Sequence, residues 1–175
     1  MRHCPPPKVT RVALSALLGL LICTVAQADS TEADIKAAFI YNFAKFVEWP
    51  AGTFPDDKQH LSLCTQDDSL LARKLQQLGG KEAQGRTIEV HTLAKSSDTS
   101  GCHILLASSS EAPVGHGAML TISEAAHASH QSSMINLFVD ANRVQFSVNL
   151  LAAQQAGIKL SARLLQLART VSRGS

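Results

Sequence analysis

The sequence predicts an α/β fold: a single layered domain with a mostly parallel central sheet flanked by helices, and a late antiparallel hairpin. Three observations predict it. Segments with strand and helix periodicity alternate along the chain, as they do in α/β proteins. The run CHILLAS (102–108) is almost continuously apolar, as expected of a central strand buried on both faces. Late in the chain, MINLFVD and RVQFSVN flank a turn at 140–142, which predicts a hairpin.

The first 28 residues are predicted to be a signal peptide. A basic start precedes the apolar run VALSALLGLLICTVA, and Ala26 and Ala28 supply the small side chains that a signal peptidase requires. The run is shorter than the roughly twenty residues that span a bilayer. We therefore expect cleavage after Ala28, export to the periplasm, and a mature domain of residues 29–175 that does not insert into the membrane. Cys23 allows a rival interpretation as a lipoprotein cysteine, but Ile22 stands where a small residue is normally required.

The charge balance excludes one class of partner. The full chain has 16 Lys and Arg against 14 Asp and Glu, a formal net charge of +2. Without the three basic residues of the signal peptide, 13 basic and 14 acidic residues remain, a net charge of about −1. A nucleic-acid-binding domain is normally basic. The mature chain is therefore predicted to bind no nucleic acid.

The opening segment KAAFIYNFAKFVEWP (36–50) holds five of the eight aromatic residues of the chain. At helical spacing its apolar residues form two adjacent stripes. One stripe, which begins with the preceding isoleucine, is Ile35, Phe39, Phe43 and Phe46; the other is Ile40, Ala44 and Val47. This apolar arc is wider than a helix packed on one layer needs. We expect most of the aromatic side chains in the core, with Tyr41 and Trp49 as the better candidates for contact with a partner. Asn42 is expected to satisfy a buried backbone group.

Helix end signals and strand periodicity locate the other elements. In order, they are a helix from Ser30-Thr31 to Pro50, strand 61–66, helix 67–80, strands 86–93, 102–108 and 117–123, helical turns at 124–130, the hairpin, and closing helices at 150–157 and 161–173. The last helix is amphipathic. We expect it to dock on the core, because a membrane-surface helix would carry more basic residues on its polar face.

The common catalytic motifs are absent: the sequence has no G-x-S-x-G elbow, no phosphate-binding loop and no H-E-x-x-H. We therefore predict no enzyme activity and no cofactor. His116, His127 and His130 could in principle bind zinc, but no carboxylate or thiol accompanies them at firm spacing. Surface histidines are the preferred interpretation, and no metal site is predicted.

Polar side chains follow the predicted strands at the edge where open α/β sheets bind ligands. The candidate crevice comprises Thr65, Asp67, Ser108, Ser109 and Glu111. The alternative is that these residues cap the helices that follow, as Ser and Asp do in most proteins. Helix capping is the preferred interpretation.

The two cysteines of the mature chain, Cys64 and Cys102, are expected to pair, because an exported protein meets an oxidising environment. Their bridge would close a loop of about 39 residues and stabilise the fold by about 4 kcal/mol in the chain-entropy model. The alternative is two free buried thiols.

Five segments together resemble the YfiR family of exported bacterial proteins, over about residues 35–168. They are IKAAFIYNFAKFVEWP, LGGKEAQGRTIEV, CHILLASSSE, MLTISEAAH and FSVNLLAAQQAGIKLSARLLQLA. The resemblance implies a periplasmic α/β protein that represses a membrane-bound diguanylate cyclase by engaging its periplasmic portion, and so limits cyclic di-GMP signalling. It also implies the Cys64–Cys102 disulfide. The chain departs from the pattern at Ser132-Ser133, where many relatives have Gly-Gly, and it lacks the cysteines of a second bridge found in some members.

Two functions remain open from the sequence. The first is an interaction protein whose partner is an inner-membrane diguanylate cyclase or sensor. The second is a periplasmic small-molecule-binding module that uses the crevice. An exposed apolar patch would favour the first, and a formed pocket with convergent polar groups would favour the second. An enzyme is disfavoured because no nucleophile–base pair is evident, and the sequence does not decide between a monomer and a homodimer.

Overall fold

A computed structural model describes residues 24–54, 59–94, 98–107, 117–124 and 133–173, with the side chains of the first helix described from residue 31 onward. The helices are α1 (Thr24–Phe46), α2 (Leu70–Leu75, continued by a 3-10 turn at Gln76–Leu78), α3 (Leu150–Gln155) and α4 (Ala162–Leu167). The strands are β1 (Val47–Glu48), β2 (His60–Thr65), β3 (Glu82–Ala83), β4 (Arg86–Thr92), β5 (Ile104–Ala107), β6 (Leu120–Glu124), β7 (Ile135–Asp140), β8 (Arg143–Asn149), β9 (Lys159–Leu160) and β10 (Thr170–Ser172).

Eight of the described strands form one sheet in the order β10-β8-β7-β6-β5-β2-β4-β3. The five central strands run parallel to one another, in the spatial order β4, β2, β5, β6 and β7. At the two sides, β3 pairs antiparallel with β4, and β8 pairs antiparallel with β7. The predicted fold class is therefore confirmed: a mixed α/β domain with a mostly parallel sheet, flanking helices and a late antiparallel hairpin.

The core lies between α1 and one face of the sheet. Four side chains are buried against alternate residues of the strands: Ile40, Phe43 and Ala44 of α1, and Val47 at the start of β1. The Phe43 ring meets Phe146 of β8 edge-on, with ring centroids 5.0 Å apart. Each large side chain buried in this way contributes about 1.5–3 kcal/mol. The helix that carries four of the eight aromatic residues is thus held against the sheet.

The ends of α1 differ from the prediction. The helix passes through Ser30 and Thr31, so neither residue caps it in the full chain. It ends at Phe46 because Val47 and Glu48 pair with β9 as a short antiparallel ladder. The side-chain amide of Gln84 donates to the carbonyl oxygens of Ala44 and Val47, at 2.7 Å each, and thereby satisfies groups that a helix end leaves open.

The predicted closing helix over 161–173 is wrong in its last part. Helix α4 ends at Leu167, and Ala168 is extended. The chain then forms β10, which runs parallel to β8 with Val171 opposite Val148. The helical turns predicted at 124–130 fall largely outside the described residues, and Glu124 is the last residue of β6.

The predicted hairpin is confirmed. Asp140 pairs with Arg143, which leaves Ala141 and Asn142 as a two-residue turn. Both turn residues have positive φ, 47° and 60°. Positive φ at both central residues matches the right-handed twist of the strands in such a tight connection.

Candidate functional site

The outer flank of α1 carries apolar side chains that the domain covers only in part. Phe43 is buried, whereas Phe39 and Phe46 are half-buried. Ile35, one turn before Phe39, is 43% exposed. Asn42 lies on the same flank and is exposed, so the prediction that it satisfies a buried backbone group is wrong. This flank borders the core through Phe39 and Phe46 but is only partly covered, and the sequence could not distinguish it from the buried stripe beside it.

The β7–β8 hairpin continues this apolar surface. Val139 is 38% exposed and lies opposite the half-buried Val144 across the ladder. Strand alternation puts both valines on the face that carries Phe146, whose ring centroid is 5.5 Å from that of Phe39. We call Ile35, Phe39, Val139 and Val144 the α1–hairpin patch. Sequence reasoning missed the hairpin half of this patch, because strand alternation alone did not show that Val139 would remain exposed.

Tyr41, a predicted contact residue, lies on the other flank of α1, beside β3. Its hydroxyl donates to the carbonyl oxygen of Glu82 at 3.0 Å. The Lys45 ammonium lies 3.9 Å from the Tyr41 ring centroid, and the Lys81 ammonium lies at 5.6 Å. Tyr41 is therefore half-buried, with its ring face occupied by a lysine and its hydroxyl engaged by the domain itself.

Trp49, the other predicted contact residue, follows β1 and is half-buried. Its ring lies edge-on to Phe54 at 5.7 Å and to His103 at 6.2 Å between centroids. Phe54 in turn stacks on His103 at 4.5 Å, and the Arg86 guanidinium lies 3.9 Å from the Phe54 ring centroid. These contacts hold Trp49 in a small aromatic cluster and leave only part of its ring accessible.

The polar residues at the end of β2 and after it are buried or cap the helix that follows. Thr65 is fully buried, with its hydroxyl oxygen 3.5 Å from that of Thr92. The Asp67 carboxylate accepts the Ser69 backbone N–H at 3.0 Å, and the Ser69 hydroxyl accepts the Ala72 N–H at 3.2 Å. The other crevice candidates, Ser108, Ser109 and Glu111, lie outside the described residues. The strand order does reverse beside β2, between β4 and β5, which is where doubly wound sheets leave a crevice.

A cavity of about 180 Å³ lies near this edge, and Lys36, Glu32, Glu124 and Ser69 contribute to its lining. Lys36 is buried, with its ammonium 2.5 Å from a Glu32 oxygen and 2.6 Å from a Glu124 oxygen. Burial by itself lowers the pKa of Lys36, but hydrogen bonds and charges from the two glutamates outweigh it and raise this pKa above the ordinary value. The lysine is already neutralised within the domain, and the cavity is smaller than the roughly 300–1,000 Å³ of typical small-molecule sites.

A larger cavity, of about 370 Å³, lies at the opposite edge of the sheet, next to the residues that precede β5 and β6. Pro50, Gly52, His103 and Met119 are among its lining residues. Its described lining contains no Asp, Glu, Lys or Arg. The cavity therefore has the size of a ligand site, and none of its described lining residues is an acidic, lysine or arginine side chain that would orient a charged ligand.

The structure contains the predicted disulfide between Cys64, on β2, and Cys102, just before β5. Their Cα atoms are 5.9 Å apart. Cys64 alternates with Leu63, which faces α1, so the bridge lies on the other face of the sheet, where it packs with Leu105 and Met119. The bridge ties two adjacent central strands and supports the scaffold that carries the candidate surfaces.

In the described part of the chain, no group of three or more His, Cys, Asp or Glu side chains is placed to hold a metal ion. The histidines His116, His127 and His130 lie outside it. No described helix is both long and apolar enough to span a bilayer.

Comparison with known proteins gives one match. A sequence model described as YfiR/HmsC-like matches residues 33–169, from the first helix through α4 and up to β10. No curated protein sequence matches the chain.

Proposed function

This chain belongs to the YfiR/HmsC-like family, and from that premise we propose that it is a periplasmic regulatory protein. It binds the periplasmic portion of an inner-membrane diguanylate cyclase or related sensor and holds that protein inactive. The chain performs no chemistry of its own in this proposal. Its export follows from the signal peptide expected at residues 1–28, and the Cys64–Cys102 disulfide suits an oxidising compartment.

The observation that supports a binding role best is the α1–hairpin patch. Apolar surface that the fold leaves open is a common feature of protein-interaction sites. Of the four large hydrophobic side chains exposed among the described residues, Ile35 and Val139 belong to this patch. Phe39 lies between them and the core, where its ring packs on Phe43 and Phe146. A half-buried aromatic ring on a rigid scaffold is the kind of anchor that dominates binding energy at interfaces.

Tyr41 and Trp49 extend the proposed contact around α1 to the β3–β4 side. Each presents part of a ring that the domain holds in one orientation, which limits the entropy lost on binding. Lys45 and Lys81 beside Tyr41 add positive charge at that end. We expect the α1–hairpin patch to contribute more binding energy than Tyr41 and Trp49, because its exposed side chains are apolar.

A periplasmic small-molecule-binding module is the second candidate, and the strand-order reversal beside β2 is the observation that favours it. Against it, Asp67 and Ser69 act as caps, and the Lys36 cavity is small and internally neutralised. The interaction role is therefore the stronger proposal.

The test compares Ile35→Asp with Leu151→Asp. Both side chains are 43% exposed, but Ile35 is in the patch and Leu151 is on α3. An equal change of charge and volume at equal exposure separates loss of a contact from a general effect. Trp49→Asp is less suitable, since it would also disrupt the aromatic cluster with Phe54 and His103.

The readouts are cellular cyclic di-GMP and crosslinked recovery of inner-membrane proteins by the tagged, oxidised protein. We expect deletion of the protein to raise cellular cyclic di-GMP, and expression of wild type or Leu151→Asp to return it to the original level. Ile35→Asp should remain folded by circular dichroism, yet leave cyclic di-GMP high and fail to recover a membrane cyclase. Unchanged cyclic di-GMP on deletion, with no membrane protein recovered, would overturn the proposal.

A further inference from the structure

The last part of the chain has a one-sided charge. Residues 141–175 contain five Lys and Arg residues and no Asp or Glu, whereas residues 29–140 contain eight basic and 14 acidic residues. The five are Arg143, Lys159, Arg163, Arg169 and Arg173. None of them forms an ion pair with another described residue. The positive charge of this segment is therefore not neutralised within the described domain.

Two of these arginines, Arg169 and Arg173, flank β10, which is the strand at one edge of the sheet. Among the described residues, β10 pairs with β8 alone. The Arg169 N–H donates to the Phe146 carbonyl oxygen at 2.8 Å, so the backbone of Arg169 points toward β8. Backbone groups alternate in direction along a strand, so those of Thr170 and Ser172 point away from the sheet. Thr170 is exposed.

An exposed leucine lies beside this open edge. Leu167, three residues before β10, is 67% exposed and is the most exposed large hydrophobic side chain of the described residues. Within the described part of the chain, the edge thus combines backbone donors and acceptors that pair with no other strand, cations without an ion pair and an apolar side chain. We call Leu167 and residues 169–173 the β10 edge.

We propose that the β10 edge docks an extended, acidic segment of a partner protein, which adds to the sheet as a further strand. Strand addition uses the outward backbone groups of Thr170 and Ser172 for affinity. Carboxylates of the segment meet Arg169 and Arg173, and an apolar side chain meets Leu167. This inference concerns residues outside the α1–hairpin patch and does not depend on the proposed regulatory role.

Charge argues against a second copy of this chain as the occupant. Antiparallel pairing of two β10 strands about Val171 would place Arg169 of each copy opposite Arg173 of the other. Like charges directly across a ladder are destabilising. Two further explanations remain as outcomes of the test: an anionic membrane surface, which basic clusters also attract, and protection of the edge against aggregation, which charged residues commonly provide.

The probe is a short fluorescent peptide of alternating glutamate and valine, titrated with the oxidised protein and followed by anisotropy. We expect saturable binding that weakens as salt is added, and no binding of the matching lysine–valine peptide. Thr170→Pro removes an outward donor but no hydrogen bond to β8, and proline is tolerated at such edge positions. We expect Thr170→Pro to weaken peptide binding about tenfold, and the Arg169→Glu/Arg173→Glu double variant to weaken it to a similar extent.

The control is Lys81→Glu, next to β3 at the other end of the sheet, which should bind the peptide like wild type. Ser172→Pro and Leu167→Asp repeat the test if Thr170→Pro fails to fold. Absence of peptide binding by the folded protein would overturn the proposal and leave the arginines as edge protection. Binding that is equal in wild type and both proline variants would also overturn it. A third outcome would overturn the proposal in favour of a membrane surface. In that case the protein binds vesicles containing phosphatidylglycerol but not the peptide, and the arginine double variant loses vesicle binding whereas Thr170→Pro keeps it.

Discussion

The Lys36 ammonium lies 2.6 Å from Glu124 Oε1, although 88 residues separate the two along the chain. This ion pair joins α1 to the carboxyl end of β6, and Glu32 holds the same ammonium from within the helix at 2.5 Å. The lysine side chain is buried, while the two glutamates are more than a third exposed. The contact fixes the middle of α1, which carries Ile35, and therefore one end of the α1–hairpin patch.

Lys36→Ala should destabilise the fold by about 1–2 kcal/mol. The cost should be lower than for a fully buried pair, because water can reach the glutamates that remain. Lys36→Met should cost less than Lys36→Ala, because it keeps the buried apolar stem. Urea unfolding of the two variants checks the order, and an equal loss in both would show that the stem contributes nothing.

The raised pKa of Lys36 predicts a pH dependence at the alkaline end. A lysine whose pKa in the folded state exceeds the ordinary 10.5 binds its proton more tightly when folded. Its contribution to stability is then complete below pH 10.5 and is lost as the pH rises through the higher folded-state value. The free energy of unfolding should therefore fall more steeply at alkaline pH in wild type than in Lys36→Met. Parallel curves for the two proteins would contradict the prediction.

Removal of the Cys64–Cys102 disulfide should lower stability by about 4 kcal/mol, because the bridge joins residues 38 positions apart and restricts the unfolded chain. For a domain of this size that corresponds to a fall in Tm of about 10 °C. Thermal unfolding of wild type with and without reductant measures it. The Cys64→Ala/Cys102→Ala variant is the control, since reductant should leave its Tm unchanged. Thiol labelling of Cys64 or Cys102 in the native protein would contradict the pairing.

Ala141→Asn should stabilise the hairpin by about 0.5–1 kcal/mol. Ala141 has a φ of 47°, a left-handed conformation that costs an ordinary residue roughly 1–2 kcal/mol and that asparagine adopts more readily. Ala141→Val places a β-branched side chain in the same conformation and should destabilise. Chemical unfolding of both variants should show opposite signs, and a loss of stability in Ala141→Asn would contradict the assignment of the turn.

Local periodicity predicted much of this fold because the periods of strands and helices are local properties of the chain. The apolar run before Ser108 is indeed a central strand, and the turn at Ala141-Asn142 does connect two antiparallel strands. The segment around Val171 was assigned wrongly. Leu164, Leu167 and Val171 also fit helical spacing, and only the ladder with β8 draws the segment into an extended conformation.

The sequence by itself determined the α/β class, the order of most elements, the cysteine pair and the aromatic loading of the first helix. Only the tertiary structure decided which flank of that helix stays open and that Asn42 is exposed. It also decided that Lys36 is buried against Glu124 and that β10 forms an edge strand of the sheet. The physical reason is that periodicity and capping act between near neighbours in sequence. Burial, ion pairing and edge exposure depend on residues that folding brings together from distant parts of the chain.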